Sequence, residues 1–423
     1  MITKVKGTYD VLVPETKKWQ ALEAKVRTLY EFYNYDEIRT PIMEYSKVFH
    51  RDSEQSEMVT KETYNFLDRS DREITLRPEG TAGVIRSYIE NKLYTSQEVS
   101  KFYYIGPNFR YERPQKGRYR QFSQFGIEAV GSNDPMLDVE ALALAYETIK
   151  RLGLKGVRVK INTLGDEESR KNFQEALVNH FTPHKETLCK DCQARLEKNP
   201  LRILDCKIDS EHEAMKSAPT PVEYLTKDAH ERYLKVLNGL NLSNIPYETA
   251  PRLVRGLDYY SHTVFEIVAD IEGFGAQNVL GGGGRYEKLV SELGGPDLSG
   301  IGFAFGMERL LLALEAEEIE IAEKKTVDAY VLVFDEKDKI EASKLVYTLR
   351  ANDIKAEMNY MGKNFKGQLK QALKQESKYL LILGEEEIKT KTITVKNTKT
   401  EEQEIIPEKI IVKHLKESIK TWN

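Results

Sequence analysis

The fold is decided by residues 102–130, which read FYYIGPNFRYERPQKGRYRQFSQFGIEAV. If the first half is extended, alternate side chains point to opposite faces of the strand. One face then carries small and polar residues: Gly106, Asn108, Arg110 and Glu112. The opposite face carries Phe109 and Tyr111. The stretch predicts the first strand of a β-hairpin, on which Arg110 has neighbours small enough to leave space for an anionic nucleotide.

The return strand repeats this alternation. Its polar face holds Gln124, Gly126 and Glu128, and the central glycine leaves room for a ligand against the backbone. Its apolar face is predicted to point into the core and consists of Phe125, Ile127 and Ala129. The connecting segment, residues 114–120, carries three cations around Gly117: Lys116, Arg118 and Arg120. Such a loop can bind phosphates, or it can be a solvated basic turn.

This hairpin resembles motif 2 of the class II aminoacyl-tRNA synthetases. Further segments resemble those of the histidyl-tRNA synthetase family, and together they span nearly the whole chain. They read KGTYDVLVPE at 6–15, TLRPEGTAG at 75–83, LVRGLDYYSHTVFE at 253–266, GGGGRYEKL at 281–289 and GFAFGMERLL at 302–311. LVRGLDYY is the most specific of them, because it distinguishes the histidine family from other members of the class.

The resemblance implies both a fold and an activity. The implied fold is an α+β catalytic domain with a mixed, mainly antiparallel sheet, a helical insertion domain and a C-terminal α/β anticodon-binding domain. The implied reaction activates histidine with ATP to histidyl-adenylate and pyrophosphate, with Mg²⁺ bridging the phosphates. Histidine then passes to the 3′ end of tRNA(His).

Residues 14–33 are predicted to form a helix, because apolar side chains recur at three- and four-residue spacing. The following stretch, EIRTPIMEY at 37–45, is predicted to be extended, with Pro41 at an edge or a bulge. A helix followed by such a strand resembles motif 1, which implies a homodimer. The alternative is an internal helix that packs on its own sheet.

The resemblance also implies roles for individual residues. The residues implied to bind ATP are Arg110, Glu112 and Arg309. Two arginines, Arg110 and Arg255, are implied to be catalytic, offsetting charge while the carboxylate attacks phosphorus. Histidine is implied to contact Glu79, Thr81, Gln124, Glu128, Arg255, Tyr259 and Tyr260. The acceptor end of the tRNA is implied to contact Gln115, Arg118 and Arg120.

Several of these residues also have purely structural interpretations. Thr81 can be the N-cap of the helix that follows, with Glu79 as a favourable charge at its positive end. Tyr259 and Tyr260 can be two aromatic residues packed in a sheet core. For a histidine site, a carboxylate such as Glu128 and one tyrosine hydroxyl would supply a partner for each imidazole nitrogen.

Two glycine-rich stretches do not match the standard nucleotide-binding loops. Residues 281–284 lack the Lys-Ser or Lys-Thr pair of a P-loop, and GIGFAFG at 300–306 has its third glycine one place late for a dinucleotide fingerprint. The second stretch is predicted to be a strand that enters a helix. Arg309 in that helix can stack on adenine, as the resemblance implies, or can be a solvated residue paired with Glu308 or Glu315.

The chain of 423 residues is long enough for two or three domains. The charged stretch 315–325 is predicted to be a boundary, which places a catalytic domain at 1–325, interrupted by an insertion at about 167–240, and a C-terminal domain at 326–423. Strands and helices alternate in the last hundred or so residues, as in an α/β unit. A basic stripe of lysines there can follow an RNA backbone or can be a solvated face: Lys363, Lys366, Lys370 and Lys374.

The composition of the chain indicates where the protein is expected to function and how it can contact RNA. No run of about twenty apolar residues occurs, and MITKVKGTYD lacks the apolar core of a signal peptide, so we expect a cytoplasmic protein with no membrane segment. The net charge of −4 means that contacts with RNA must come from local basic patches.

The three cysteines fit a reducing compartment but raise a second question. Cys189 and Cys192 form a C-x-x-C pair, and Cys206 follows. With a histidine such as His212 they could complete a zinc site. No second C-x-x-C follows, so packed, reduced thiols are the favoured interpretation.

A non-catalytic relative is the main functional alternative. The synthetase-like regulatory subunit of the first histidine-biosynthesis enzyme resembles this family, but such paralogues typically lack the anticodon domain and lose the arginines. Since this chain keeps Arg110, Arg255, Arg309 and a complete C-terminal unit, the enzyme is favoured.

Overall fold

The chain divides into two compact units, Met1–Ala322 and Glu323–Asn423, in a computed structural model. The structure describes residues 2–51, 56–115, 117–254, 257–274, 278–323 and 326–422. None of the helices in these ranges combines the length and the apolar composition that crossing a membrane requires.

The first unit is a mixed α+β structure. Its helices are α1 (Glu15–Phe32), α2 (Glu57–Lys61), α3 (Thr81–Glu90), α4 (Pro135–Arg151), α5 (Glu167–Phe181), α6 (Lys190–Lys198), α7 (Glu213–Lys216), α8 (Lys227–Leu242), α9 (Leu289–Glu292) and α10 (Met307–Ala316). Its strands are β1 (Asp36–Glu37), β2 (Met43–Tyr45), β3 (Tyr64–Leu67), β4 (Glu73–Leu76), β5 (Ser100–Phe109), β6 (Gln121–Val130), β7 (Arg158–Thr163), β8 (Tyr247–Thr249), β9 (Tyr260–Val268), β10 (Val279–Tyr286) and β11 (Gly300–Gly306).

The main sheet of this unit has eight strands within the described residues, in the order β1-β5-β6-β11-β10-β9-β7-β8. Its pairs are antiparallel except for β1 with β5 and β7 with β8, which are parallel. The predicted hairpin is the β5–β6 pair, in which Gly106 lies opposite Gln124 and Phe102 lies opposite Glu128. The prediction of a mixed, mainly antiparallel sheet is confirmed.

One face of the sheet packs on helices. Phe125, Ile127 and Ala129 are buried in this core, as the alternation of β6 predicts. Helix α1 contributes a buried stripe at helical spacing: Leu22, Val26, Leu29 and Tyr30. Its predicted bounds of 14–33 hold to within one residue, and Pro14 is the N-cap.

The stretch predicted as one proline-bearing strand is instead two short strands. β1 ends at Glu37 and β2 begins at Met43, so Pro41 lies between them. Proline has no N–H for a sheet ladder, which explains the interruption. Strand β2 belongs to a separate three-stranded sheet in the order β2-β4-β3.

A buried ion pair fixes the orientation of β10. Arg285 is fully buried, and its guanidinium binds the Asp138 carboxylate at the start of α4. It also donates to the Ser132 carbonyl and the Ser299 hydroxyl, each at 2.8 Å. Successive side chains of a strand alternate, so anchoring Arg285 on this side directs Tyr286 to the other.

The helical segment between β7 and β8 has a hydrophobic cluster of its own. The apolar side chains of this cluster lie between Phe173 and Ala218, on α5, α6, α7 and the connecting turns. Helix α8 instead packs against α4 in the main core, where Tyr233, Val236 and Leu240 are buried.

The second unit is an α/β domain, as predicted. Its strands are β12 (Ala329–Val333), β13 (Ala356–Met358), β14 (Tyr379–Leu383), β15 (Thr392–Asn397) and β16 (Gln403–Pro407), in the sheet order β13-β12-β14-β15-β16. Its helices are α11 (Lys339–Arg350), α12 (Phe365–Lys374), α13 (Glu385–Thr390) and α14 (Ile411–Lys420). Helices α11 and α14 share one core, α12 packs in another, and the four lysines of the basic stripe are exposed.

Candidate active site

The first unit buries the carboxyl of Glu128 at the meeting point of three distant segments. It lies on β6 and is fully buried. Thr81 at the start of α3 donates its hydroxyl hydrogen to Oε1 at 2.6 Å, and Tyr286 at the end of β10 donates to Oε2 at 2.8 Å. Burial raises the pKa of Glu128 to about 8, although these two hydroxyl donors act in the opposite direction. A bound ligand or a change of pH near neutrality can therefore alter the protonation state of this carboxyl.

Glycines make the space around this carboxyl. Gly302 on β11 lies directly opposite Glu128, and a Cβ at Gly302 would overlap the carboxylate. Gly126 lies on the same face of β6 as Glu128, and a Cβ there would overlap the Phe303 carbonyl. The alternation alone predicted room for a ligand at Gly126, but the Phe303 carbonyl and the Tyr104 hydroxyl fill that space, the hydroxyl at 2.7 Å from where a Cβ would lie. Gly302 is found only through strand pairing.

Glu79 caps helix α3. Its carboxylate accepts hydrogen bonds from the backbone N–H groups of Thr81 at 2.6 Å and Ala82 at 2.9 Å. The interpretation of Thr81 as the N-cap is wrong, because Gly80 occupies that position and Thr81 is the first helical residue. The cap leaves the Thr81 side chain available for Glu128. Glu79 and Thr81 thus stand beside the carboxyl that they were predicted to accompany.

Aromatic side chains surround the same carboxyl. The Tyr259 ring lies 4.9 Å from that of Tyr260 and 5.9 Å from that of Tyr286. Within the described residues, the buried hydroxyls of Tyr104 and Tyr259 form no hydrogen bond. Thr81 is near both but gives its hydrogen to Glu128. Two unpaired buried hydroxyls are a sign that this region accommodates a polar ligand.

Tyr260 is also a packing residue. It lies in a small apolar cluster with Leu164 and Val264. The sequence interpretation had overlooked Tyr104 and Tyr286, although both stand in segments that it quoted. Tyr286 could have been found from the alternation along GGGGRY, but only after Arg285 is known to point the other way.

Gln124 is held in place across the hairpin. Its Oε1 accepts a hydrogen bond of 2.7 Å from Nδ2 of Asn108 on β5. Asn108 is buried. Its Oδ1 has no hydrogen-bond partner in the part of the chain that the structure describes. The amide pair therefore lines the same face of the hairpin as Glu128, as the alternation predicts.

A second, basic region begins where β5 ends. Arg110 donates from Nε to the Pro78 carbonyl at 2.9 Å, and its guanidinium is 3.9 Å from the Glu112 carboxylate. Arg118 approaches the other oxygen of Glu112 to 3.6 Å. Burial lowers the pKa of Arg309, and the positive charge of Arg118 adds to this effect. Arg110 and Arg118 of the hairpin and the distant Arg309 thus gather around Glu112.

Arg309 is not a solvated residue paired with Glu308. It is half-buried, and its guanidinium donates to the Val279 carbonyl at 2.8 Å. Glu308 points elsewhere, accepting from the Ser123 N–H at 2.9 Å and the Tyr9 hydroxyl at 3.1 Å. The interpretation of Arg309 as a partner of Glu308 is therefore wrong.

The loop of the hairpin is a defined turn. Gln115 and Arg118 exchange backbone hydrogen bonds of 3.1 and 2.9 Å. The Arg120 guanidinium lies 3.9 Å from the centre of the Tyr111 ring, and Nε donates to the Glu112 carbonyl. Arg120 therefore braces the turn, whereas the Arg118 side chain is 43% exposed and can reach a ligand.

Arg255 lies outside the described residues. Its neighbourhood is nevertheless informative, because Asp258 accepts a hydrogen bond of 3.0 Å from Asn199, and Arg202 lies 3.5 Å from the same oxygen. Asn199 and Arg202 belong to the helical insertion. Asp258 thus joins the LVRGLDYY segment to the insertion, and Tyr259 of the same segment packs beside Tyr286 on β10.

The antiparallel sheet, its long hairpin and the strand that leads into α10 together define a class II aminoacyl-tRNA synthetase. The histidyl-tRNA synthetase family model matches residues 7–310, and an anticodon-binding-domain model matches residues 328–418. The chain belongs to the histidyl-tRNA synthetase family.

Individual relatives match over almost the full length. The chain is 58% identical to the histidine–tRNA ligase of Acholeplasma laidlawii, over 98% of this chain and 99% of that protein. It is 48% identical to the histidine–tRNA ligase of Bacillus cytotoxicus, over 98% of both. Among solved structures, that of apo Staphylococcus aureus histidyl-tRNA synthetase is 41% identical, with a TM-score of 0.85 over 98% of this chain and 100% of that one.

Proposed function

We propose that the chain activates histidine with ATP and then transfers it to the 3′ end of tRNA(His). The observation that carries this proposal is the buried carboxyl of Glu128, which lies among tyrosines on the same hairpin that ends in Arg110. A site with one acceptor for an imidazole and a nearby group of arginines suits histidine and a triphosphate together. The near full-length identity to histidine–tRNA ligases supports the same reaction.

Glu128 recognises the imidazole ring of histidine in this proposal. One ring N–H donates to its carboxylate, and a tyrosine hydroxyl from Tyr259 or Tyr104 serves the other nitrogen, so that both are paired. An amino acid that cannot make both bonds leaves buried groups unsatisfied, which is the basis for strong discrimination. The Glu79, Thr81 and Gln124 oxygens are available for the α-ammonium group, and Tyr260 packs behind the ring.

The arginines bind ATP. Arg110 and Arg309 neutralise phosphate charge, Glu112 orients Arg110, and Arg255 joins Arg110 in offsetting the charge that builds up as the histidine carboxylate attacks the α-phosphorus. Histidine and ATP bound side by side react without a protein nucleophile, so positioning is the main contribution of the protein. As the carboxylate oxygen bonds to the α-phosphorus, the bond from that phosphorus to the bridging oxygen breaks, and pyrophosphate leaves with the bonding electrons.

Mg²⁺ fits this site. The carboxylates of Glu112 and Glu266 lie near enough to Arg309 to influence its pKa, and carboxylate oxygens are the ligands that Mg²⁺ prefers. When bound with ATP, the ion supplies further neutralisation of the phosphates.

The tRNA is bound by both units. Gln115, Arg118 and Arg120 lie on or beside the turn of the hairpin and contact the acceptor end. The second unit, which matches an anticodon-binding model, contacts the anticodon. Its exposed lysines provide local positive charge that the net charge of the whole chain does not.

The chain acts as a cytoplasmic homodimer. Five large apolar side chains are exposed on the small sheet and its edge, which supports a protein interface there: Ile42, Met43, Tyr45, Phe66 and Leu67. We expect the double variant Met43→Lys, Leu67→Lys to be a monomer by light scattering. The matched change Leu242→Lys, at an exposed position on α8, should leave the dimer intact. A monomeric wild-type protein would contradict the proposed assembly.

Pyrophosphate exchange tests the proposed reaction. Purified protein should exchange labelled pyrophosphate into ATP only with histidine present, and Arg309→Ala should lower that exchange by roughly 100-fold or more. Arg151→Ala, an exposed residue on α4, is the control and should retain the rate. Equal exchange with a second amino acid would contradict the specificity. Histidine binding without any exchange would instead support the regulatory paralogue.

A further inference from the structure

Three thiols and one carboxylate meet in the helical insertion, and none of them belongs to the candidate active site described above. The Cys189, Cys192 and Cys206 sulfur atoms and a carboxylate oxygen of Asp209 all lie within 4.8 Å of one another. The Cys189 and Cys206 sulfur atoms are 3.8 Å apart, and the Cys206 sulfur is 3.8 Å from Oδ2 of Asp209. Four donor atoms at such distances form a small cage.

These distances suit a zinc ion. A tetrahedron with metal–sulfur distances of about 2.3 Å has sulfur–sulfur edges of about 3.8 Å. The separation between Cys189 and Cys206 equals that edge. Thiolates are soft ligands, which favours zinc over magnesium or calcium.

The order of the ligands along the chain explains why the sequence pattern was incomplete. Cys189 and Cys192 form one C-x-x-C pair, and Cys206 and Asp209 form a second pair with the same spacing, in which aspartate stands where a fourth cysteine would be. Each pair has the same local geometry. The Cys192 N–H donates to the Cys189 sulfur at 3.5 Å, and the Asp209 N–H donates to the Cys206 sulfur at 3.4 Å.

The nearby histidines have other partners. His180 is hydrogen bonded to the Ala214 carbonyl at 2.8 Å, and His212 accepts from the Ala214 N–H at 3.1 Å. Cys192, Cys206 and Asp209 are buried, and Cys189 is partly exposed. Within the described residues, the Asp209 carboxylate forms no ion pair. This carboxylate accepts from the Cys189 N–H at 3.0 Å, but no cationic side chain of the described residues balances its charge, which a bound cation would do.

We propose that Cys189, Cys192, Cys206 and Asp209 bind one structural Zn²⁺ ion. The three thiols lose their protons to solvent on binding, and no oxidation or reduction takes place. The ion links the beginning of α6 to the turn that follows Pro200–Asp205. The hydrophobic cluster of the insertion is small, and a metal cross-link is a usual way to stabilise a small core.

Metal analysis of the full chain tests the proposal. Protein purified without chelator should contain one zinc ion per chain, as measured by inductively coupled plasma mass spectrometry. Cys192→Ser should lose the ion, whereas Asp209→Cys should keep it, because a fourth thiolate replaces the carboxylate. Asp205→Asn, at an exposed position next to Cys206, is the matched control and should also keep it.

A second measurement avoids any variant that fails to fold. We expect wild-type protein stripped with a chelator to take up Co²⁺ and to show the thiolate-to-cobalt charge-transfer bands of a tetrahedral site. Zinc added afterwards should abolish these bands and should protect the insertion against proteolysis. Metal-free protein that binds neither ion would overturn the proposal. So would a disulfide between Cys189 and Cys206 in protein prepared under reducing conditions.

Discussion

Glu128 is a carboxyl whose two oxygens both accept from hydroxyl groups in a fully buried setting. Burial raises its pKa from 4.5 to about 8. In the unfolded chain the proton is lost near pH 4.5, but in the folded chain it is kept to about pH 8. The contribution of this group to stability is therefore fully present at low pH and is lost as the pH rises through that range.

Replacing the carboxyl by an amide should remove this dependence. We expect Glu128→Gln to flatten the dependence of the free energy of unfolding on pH between about 4.5 and 8. As the pH rises across that range, the free energy of unfolding of the wild type should fall by several kcal/mol relative to that of the variant, since each unit of pKa shift is worth about 1.4 kcal/mol. Urea denaturation at a series of pH values measures this.

The same variant should bind histidine less well. Glutamine offers one acceptor oxygen where the carboxyl offers two, and an imidazole N–H left unpaired in this buried site costs about 1–3 kcal/mol, which corresponds to roughly a 5–150-fold rise in KM for histidine during pyrophosphate exchange. Glu231→Gln, at an exposed position on α8, should change neither quantity. Parallel pH curves for wild type and Glu128→Gln would show that the buried carboxyl does not titrate as described.

At the scale of elements, helix α10 is tied to the hairpin and to the N-terminal segment by one side chain. Glu308 accepts from the Ser123 N–H with both oxygens, and from the Tyr9 hydroxyl with one of them. Glu308 is buried, and this burial raises its pKa to about 7. The Tyr9 ring in turn lies 4.4 Å from that of Tyr119 on the far side of the hairpin turn.

Removing this side chain should loosen the hairpin. We expect Glu308→Ala to lower the free energy of unfolding by about 1–3 kcal/mol, because the partly buried Ser123 N–H is left without an acceptor. The KM for ATP should also rise, because Arg309 follows directly on the same helix. Urea denaturation and exchange kinetics measure both effects.

The control for this change lies on the same helix. Glu315 is exposed, so Glu315→Ala should alter stability by no more than about 0.5 kcal/mol. A Glu308→Ala protein as stable as this control would mean that Ser123 and Tyr9 find other partners.

Local patterns accounted for most elements. Periodicity predicted α1 to within one residue, the buried face of β6, the strand into α10 and the α/β alternation of the second unit. Its failures were local too: Pro41 interrupts a predicted strand, and Gly80 rather than Thr81 caps α3. In both cases a single backbone N–H explains the difference. Proline has no N–H to donate to a neighbouring strand, and the Thr81 N–H already donates to the Glu79 carboxylate.

At the scale of the whole molecule, the chain consists of two units with separate cores, and the two proposed steps use them differently. In the proposed function, adenylate formation uses the first unit. Transfer to tRNA is proposed to use the second unit as well, through exposed basic groups such as those of α12. Ionic contacts with RNA weaken as salt concentration rises.

Charge reversal on α12 should separate the two steps. We expect Lys366→Glu combined with Lys370→Glu to raise KM for tRNA roughly tenfold or more at low salt while histidine-dependent pyrophosphate exchange is unchanged. Lys413→Glu with Lys416→Glu, exposed on α14 of the same unit, is the matched control. If the α12 and α14 double variants raised KM for tRNA equally, the result would indicate a general electrostatic response and would contradict a binding face on α12.

The sequence by itself determined helix α1, the hairpin strands with the apolar face of β6, the strand into α10 and the α/β alternation of the second unit, since these follow from spacing along one segment. Only the tertiary structure decided that Thr81, Tyr286 and Gly302 meet at Glu128, and that Asp209 completes the group of cysteines. Such meetings depend on the pairing register of distant strands and on the packing of a common core. No local periodicity contains that information.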